Sequence, residues 1–156
     1  MSKLKKQFQV WVLVFSGIFG SFPAFAEIKL PSHFVTTIGS ALLCHDQIDS
    51  YFFIDYLNTY FGDPYKVEGG AYWWNVPGTL FGAKIDSIFV SQESTTTVFI
   101  GAVFLDDPTR ILKNIQDKNG VTYQPTADPG RWVSPSFAVL LRYNEPLTPT
   151  KMFCAK

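Results

Sequence analysis

The amino-acid sequence predicts a single α+β domain: an antiparallel or mixed sheet of about five strands with two helices, in the order α-β-β-β-α-β-β. Three observations lead there. Apolar residues recur at helical spacing between residues 42 and 61. Three runs rich in β-branched and aromatic residues follow at hairpin spacing, and a second helical segment with a capping signal at each end separates them from two further strand-like runs. The order of the strands within the sheet is left open by the sequence.

Ahead of the domain, residues 1 to 26 have the three-part layout of a signal peptide. Lys3, Lys5 and Lys6 precede an apolar run from Phe8 to Gly20, and Ala24 and Ala26 occupy the small-residue positions of a cleavage site. The run is broken at Ser16-Gly17 and falls short of the roughly 20 residues that span a bilayer. The expected product is an exported chain, periplasmic or secreted, that begins at Glu27 and carries no transmembrane anchor. Residues 27 to 156 then form its one domain.

The first dozen residues of that domain, "EIKLPSHFVTTI", show no clear period and lead towards a helix. From Leu42 to Phe61 the apolar positions 42, 43, 53, 54, 57, 60 and 61 read as one long helix, which Gly62 caps and Pro64 stops. Phe52 and Tyr56 lie off this stripe, so the helix is expected to be covered on more than one side. "AYWWNV" (71 to 76) reads as a strand ending in a turn at Pro77-Gly78. Gly69-Gly70 before it reads as a bulge or turn. Residues 80 to 91 read as a second strand with Phe81, Ala83, Ile85 and Phe89 on one side and Asp86 facing solvent. Residues 95 to 105 are apolar at both parities, which predicts a central strand covered on both faces. Next, Asp107 caps a helix with Pro108 in its first turn and Asn119-Gly120 at its end. "VTYQ" and "SFAVLLRYN" supply the last two strands around a loop from Pro125 to Pro135.

The segment "LLCHDQIDSYFF" offers the chemistry of a nucleophile, a metal ligand or a disulfide at Cys44. Adjacent residues on a helix point about 100° apart, so His45 is poorly placed to act as base for Cys44. His45 and Asp49 share a helical face, but two ligands do not make a metal site and the other histidine, His33, lies in the irregular lead. An exported chain with two cysteines closes them. A Cys44–Cys154 bridge spans a loop of about 110 residues and ties down a proline-rich tail.

Without residues 1 to 26 the chain carries 10 Lys and Arg against 13 Asp and Glu, a mild negative balance that offers nothing to nucleic acid or an anionic membrane. Phosphate-binding, nucleophile-elbow and zinc-protease motifs are absent from the sequence. Asp106-Asp107 is the nearest approach to a carboxylate pair, and helix capping accounts for it. No metal or cofactor is implied. Two surface candidates remain. Tyr72, Trp73 and Trp74 could stack on a glycan or small ligand, although neighbouring strand residues point to opposite faces. Arg131 and Trp132, on the proline-stiffened loop, have the composition of an interface anchor. The expectation is a non-catalytic exported domain that binds another protein of the cell envelope, as an accessory, inhibitor or neutralising protein. A cell-wall glycan or small-ligand binder is the second reading, and a small hydrolase-type enzyme the third.

Overall fold

A computed structural model describes residues 29 to 143 and 146 to 156. The signal segment read from residues 1 to 26 lies outside the described residues. Within them is one α+β domain of three helices and an eight-stranded, wholly antiparallel sheet. The elements run α1 (Phe34–Leu42), α2 (Ser50–Phe61), β1 (Lys66–Glu68), β2 (Ala71–Leu80), β3 (Ala83–Ser91), β4 (Phe99–Phe104), α3 (Pro108–Asn119), β5 (Gln124–Pro125), β6 (Arg131–Val133), β7 (Val139–Arg142) and β8 (Thr150–Ala155). The order across the sheet is β1-β2-β3-β4-β8-β7-β6-β5. Two four-stranded meanders therefore meet at the β4–β8 seam, and α3 carries the chain from the centre to the far edge between them.

The class expected from the sequence is right, and its details differ in ways that have physical causes. The single helix expected over residues 42 to 61 is two. Phe34, Ile38, Ala41 and Leu42 recur at i, i+4, i+7 and i+8, and all are buried, so α1 starts earlier. The chain then breaks at Cys44, which adopts φ 57°. It resumes when the Asp49 carboxylate accepts from Phe52 N at 3.2 Å and caps α2. His45 and Asp49 thus lie in the connection between the helices and share no helical face. α2 ends at Gly62 as expected, with φ 77°.

β2 does not turn at Pro77-Gly78. It continues to Leu80 through a register shift between Asn75 and Gly78, and the turn falls at Phe81-Gly82, where both residues have positive φ. A second shift, between Ile85 and Ser87, inserts Asp86 as an extra residue against β4. A bulge of this kind exchanges the faces of everything beyond it. Ala83 and Ile85 face the helices, yet Phe89 faces away from them, against the alternation read from the sequence. Asp86 is exposed, as expected. Gly69-Gly70 makes the tight β1–β2 turn. Asp107 accepts from Thr109 N at 2.9 Å and caps α3, while Asp106 accepts from Lys84 N and pairs with Arg110.

The segment from Pro125 to Pro135 is no loop. Residues 131 to 133 form β6 and pair with β5 and β7, so Trp132 is a strand residue. The proline-rich tail likewise supplies a full strand, β8, at the middle of the sheet. The Cys44–Cys154 disulfide is present, with Cα atoms 5.4 Å apart, and it fastens this central strand to the end of α1.

All three helices pack on one face. Trp74, Val76, Ile88, Val90, Ile100, Ala102, Phe104, Leu140 and Met152 point into them and form the main core with Phe34, Ile38, Phe53, Leu57, Ile111 and Ile115. Trp74, 1 % exposed, donates its indole N–H to Asn58 Oδ1 and the Gly62 carbonyl, which locks the end of α2 to β2. Among the described residues no helix packs on the opposite face, and β4, although central, is covered on that side by neighbouring side chains.

Candidate functional site

The uncovered face is organised by the strand register. Lys66, Trp73, Phe89, Gly101, Phe153, Val139, Val133 and Gln124 stand opposite one another in a single row across all eight strands. Beside it runs a second row of Asn75, Ser87, Val103, Lys151, Leu141 and Arg131. Side chains two apart on a strand share a face, so these rows make one surface.

Its centre is aromatic. Trp73 and Phe89 stack with centroids 4.5 Å apart, and Phe99 meets Phe89 at 6.1 Å. Phe89 is only 3 % exposed although no second layer of the described residues covers it: its ring lies down over Gly101, with Trp73, Phe99 and Lys151 around it. A Cβ on Gly101 would stand 1.9 Å from Phe89 Cζ, so the close approach requires glycine at that position. Ala71, Phe89 and Val103 form a small buried cluster, with Trp73, Phe99 and Phe153 packed against it.

Two lysines are built into this surface. Lys66 Nζ lies 4.4 Å from the Trp73 ring centre and pairs with Glu68 at 2.8 Å. That hydrogen bond raises Lys66 above the usual lysine range and lowers Glu68 below the usual carboxylate range. Lys151 Nζ is ringed by Phe89 at 4.6 Å, Trp73 at 5.3 Å and Tyr143 at 5.5 Å. Burial among them holds its ammonium below the usual range, and the Lys66 charge adds to the effect against a smaller opposing one from Glu68. Cations over aromatic faces gain from the ring quadrupole, more so where water is excluded. Next to Lys151 a shallow groove of about 690 Å³ runs between Lys66, Trp73, Asp86, Leu105, Tyr143 and Leu147. Leu147 and Leu105 project into solvent along it.

The residues singled out from sequence are divided between the two faces. Trp73 lies at the heart of the uncovered surface, whereas Tyr72 and Trp74 point to the helices, 6.2 Å apart. The three aromatics therefore make no shared stacking platform. Arg131 is on the uncovered face, in the row of Lys151, with Asp128 3.5 Å from it. Trp132 is on the other face, opposite Leu140 and packed against the main core. Cys44 and Cys154 are joined to each other. Phe89, Gly101, Lys151 and Phe153 were not read from the sequence as site residues. The signal was there in "KMFCA": once Cys154 is fixed towards α1, Met152 must share its face and Lys151 and Phe153 must take the other.

The titratable side chains elsewhere are dispersed. Among the described residues no group of three His, Cys, Asp or Glu could hold a metal ion. His45 borders a separate cleft of 480 Å³ with Ser40 and Lys118, and that cleft is lined by no carboxylate. His33 stands edge-on to Tyr56 and Tyr60, with ring centres 5.5 Å from each. No described helix is long and apolar enough to cross a membrane.

This geometry defines an α+β domain whose antiparallel sheet is layered with helices on one side and presents an aromatic, lysine-studded face on the other. Comparison with protein-family models, curated proteins and solved structures finds no match.

Proposed function

We propose that this chain is an exported, non-catalytic domain that binds another protein of the cell envelope, and that the uncovered sheet face is its docking surface. The observation that carries the reading is the row of Trp73, Phe89 and Phe153 set over Gly101, an apolar strip on which no element of the described residues is packed. Trp73, Phe99 and Phe153 stay partly exposed around the buried Phe89, and clustered apolar side chains that remain in water mark interaction sites. The flat strip is rimmed by Lys66, Asp86 and Arg131, the arrangement of an apolar core within a polar rim.

The same face supports a glycan less well. The register sets Trp73 between Lys66 and Phe89, so its ring faces are taken up by its own neighbours. Sugars stack on a free aromatic face, whereas a protein partner can pack on an edge and on the methyl groups around it.

Site-specific photo-crosslinking from the open face tests the reading. A crosslinker at Leu141 should capture one defined envelope protein, Trp73→Ser should abolish that capture, and a crosslinker at Lys113 on α3 should not produce it. Equal capture from both positions, or retention on purified cell wall that Trp73→Ser removes, would refute the protein-docking reading.

A further inference from the structure

We propose, building on the docking role of the open face, that the partner is an apolar protein segment carrying an acidic side chain, whose carboxylate seats on Lys151 between Trp73, Phe89 and Tyr143. The argument is one of charge placed inside an apolar strip. Lys151 sits in the row next to Phe89 and Phe153, with ring centres 4.6 to 5.5 Å from its ammonium. Lys66 already has Glu68 as its ion-pair partner and Arg131 has Asp128. Among the described residues, no carboxylate stands within ion-pairing distance of Lys151.

A purely apolar partner would bury that ammonium and leave it unpaired, and an unpaired buried charge is strongly unfavourable. A carboxylate delivered into the ring of aromatics pairs with it, and the low local dielectric strengthens the pair. The aromatic walls hold the ammonium in place beforehand, so little freedom is lost when the pair forms. A second copy of this chain is the wrong occupant at this point. Packed about a two-fold axis through the strip, it would set Lys151 against its own image.

The test is a selection of random dodecapeptides displayed on phage against the oxidised protein from Glu27 onwards, run in parallel on Lys151→Met and Trp73→Ser proteins. Lys151→Met keeps the length and packing of the side chain while removing its charge. On the unaltered protein, the selected peptides should carry one Asp or Glu flanked by apolar residues. Their binding should fall at least tenfold on Lys151→Met and should also be lost on Trp73→Ser. Replacing the acid by its amide in a synthetic copy should weaken binding by a similar factor.

Each other result decides against the proposal. Apolar peptides without an acid, lost on Trp73→Ser but indifferent to Lys151→Met, would keep the docking face and overturn the carboxylate. Peptides indifferent to both Trp73→Ser and Lys151→Met, or none at all, would remove the docking face as well. If Trp73→Ser lowers the melting temperature enough to confuse the comparison, Phe153→Ser takes its place on the same strip.

Discussion

Gly101→Ala puts the construction of the open face to a quantitative test. The added Cβ would meet three ring atoms of Phe89 at 1.9, 2.4 and 2.6 Å. Ordinary contact requires the ring to withdraw by about 1.5 Å, and a close-packed neighbourhood does not give that freely. Trp73, stacked on the same ring, blocks the simplest retreat. Overpacking costs about 1–3 kcal/mol, and breaking the stack adds about 0.5–1.5 kcal/mol. The better strand propensity of alanine returns about 0.5–1 kcal/mol. The net expectation is a destabilisation of about 0.5–4 kcal/mol, read from urea unfolding by far-ultraviolet circular dichroism. Indole fluorescence follows the displacement of Trp73. In a Phe89→Ala background the clash disappears, so Gly101→Ala should there be neutral or mildly stabilising, and the two substitutions should couple by more than about 1 kcal/mol. Strict additivity, or a single mutant within about 0.5 kcal/mol of the parent, would refute the account of Phe89 lying over Gly101.

Four further outcomes are expected. Cys44→Ala and Cys154→Ala should each cost about 2–5 kcal/mol and resemble one another in thermal melts, because they remove the same bridge. A loss confined to one of them would show a separate role for that cysteine. Trp132→Ala should lower stability by about 2–4 kcal/mol, since the ring is half-buried against the helix-side core, while leaving open-face binding by the folded protein intact. Weakened binding without early melting would instead make Trp132 an anchor. Burial and the neighbouring Tyr60 push the Tyr56 hydroxyl up to about 12. A folded-state value raised above the unfolded value means that stability is fully present below pH 10 and is lost as pH rises towards 12. Tyr56→Phe should reduce that alkaline loss in pH-dependent melts, with little cost at neutral pH, because the hydroxyl has no partner among the described residues. Intact-mass measurement of exported protein should show loss of residues 1 to 26, and a full-length product would contradict the reading of that segment.

The parts of the fold that were legible in the sequence are those written locally. Asp107-Pro108 and Asn119-Gly120 bracket α3, Gly62 ends α2, and Gly69-Gly70 makes a turn, because each acts through its own backbone. What escaped was set by contacts between distant segments. Pro77-Gly78 has the composition of a turn, yet the register with β3 carries the strand through it. The bulge at Asp86 reverses the face of Phe89, and its one mark in the sequence, the consecutive polar residues Asp86-Ser87 between Ile85 and Ile88, reads as well as an interruption of the alternation. Pro149 precedes a strand that pairs on both edges, where the sequence suggested only a proline-rich tail tied down by its disulfide. The site was legible to the same extent. Opposite faces for Trp73 and Trp74 follow from strand geometry alone, while the meeting of Trp73, Phe89, Gly101 and Lys151 depends on three registers that no local pattern specifies.

The placement of β8 has a consequence for how the chain must be assembled. The last strand in sequence lies between β4 and β7 and bonds to both. Until residues 150 to 155 have been made, the two meanders have no common ladder, and each exposes a raw inner edge where the finished sheet has its middle. The earlier parts can form turns and helices as they emerge, but the sheet cannot close around a growing chain. Long-range pairing of this kind delays folding, because the ends of long segments must be brought together before the contacts repay them. The strand that joins the two meanders follows every other described element in sequence, and through Cys154 it is also the one bonded to the end of α1.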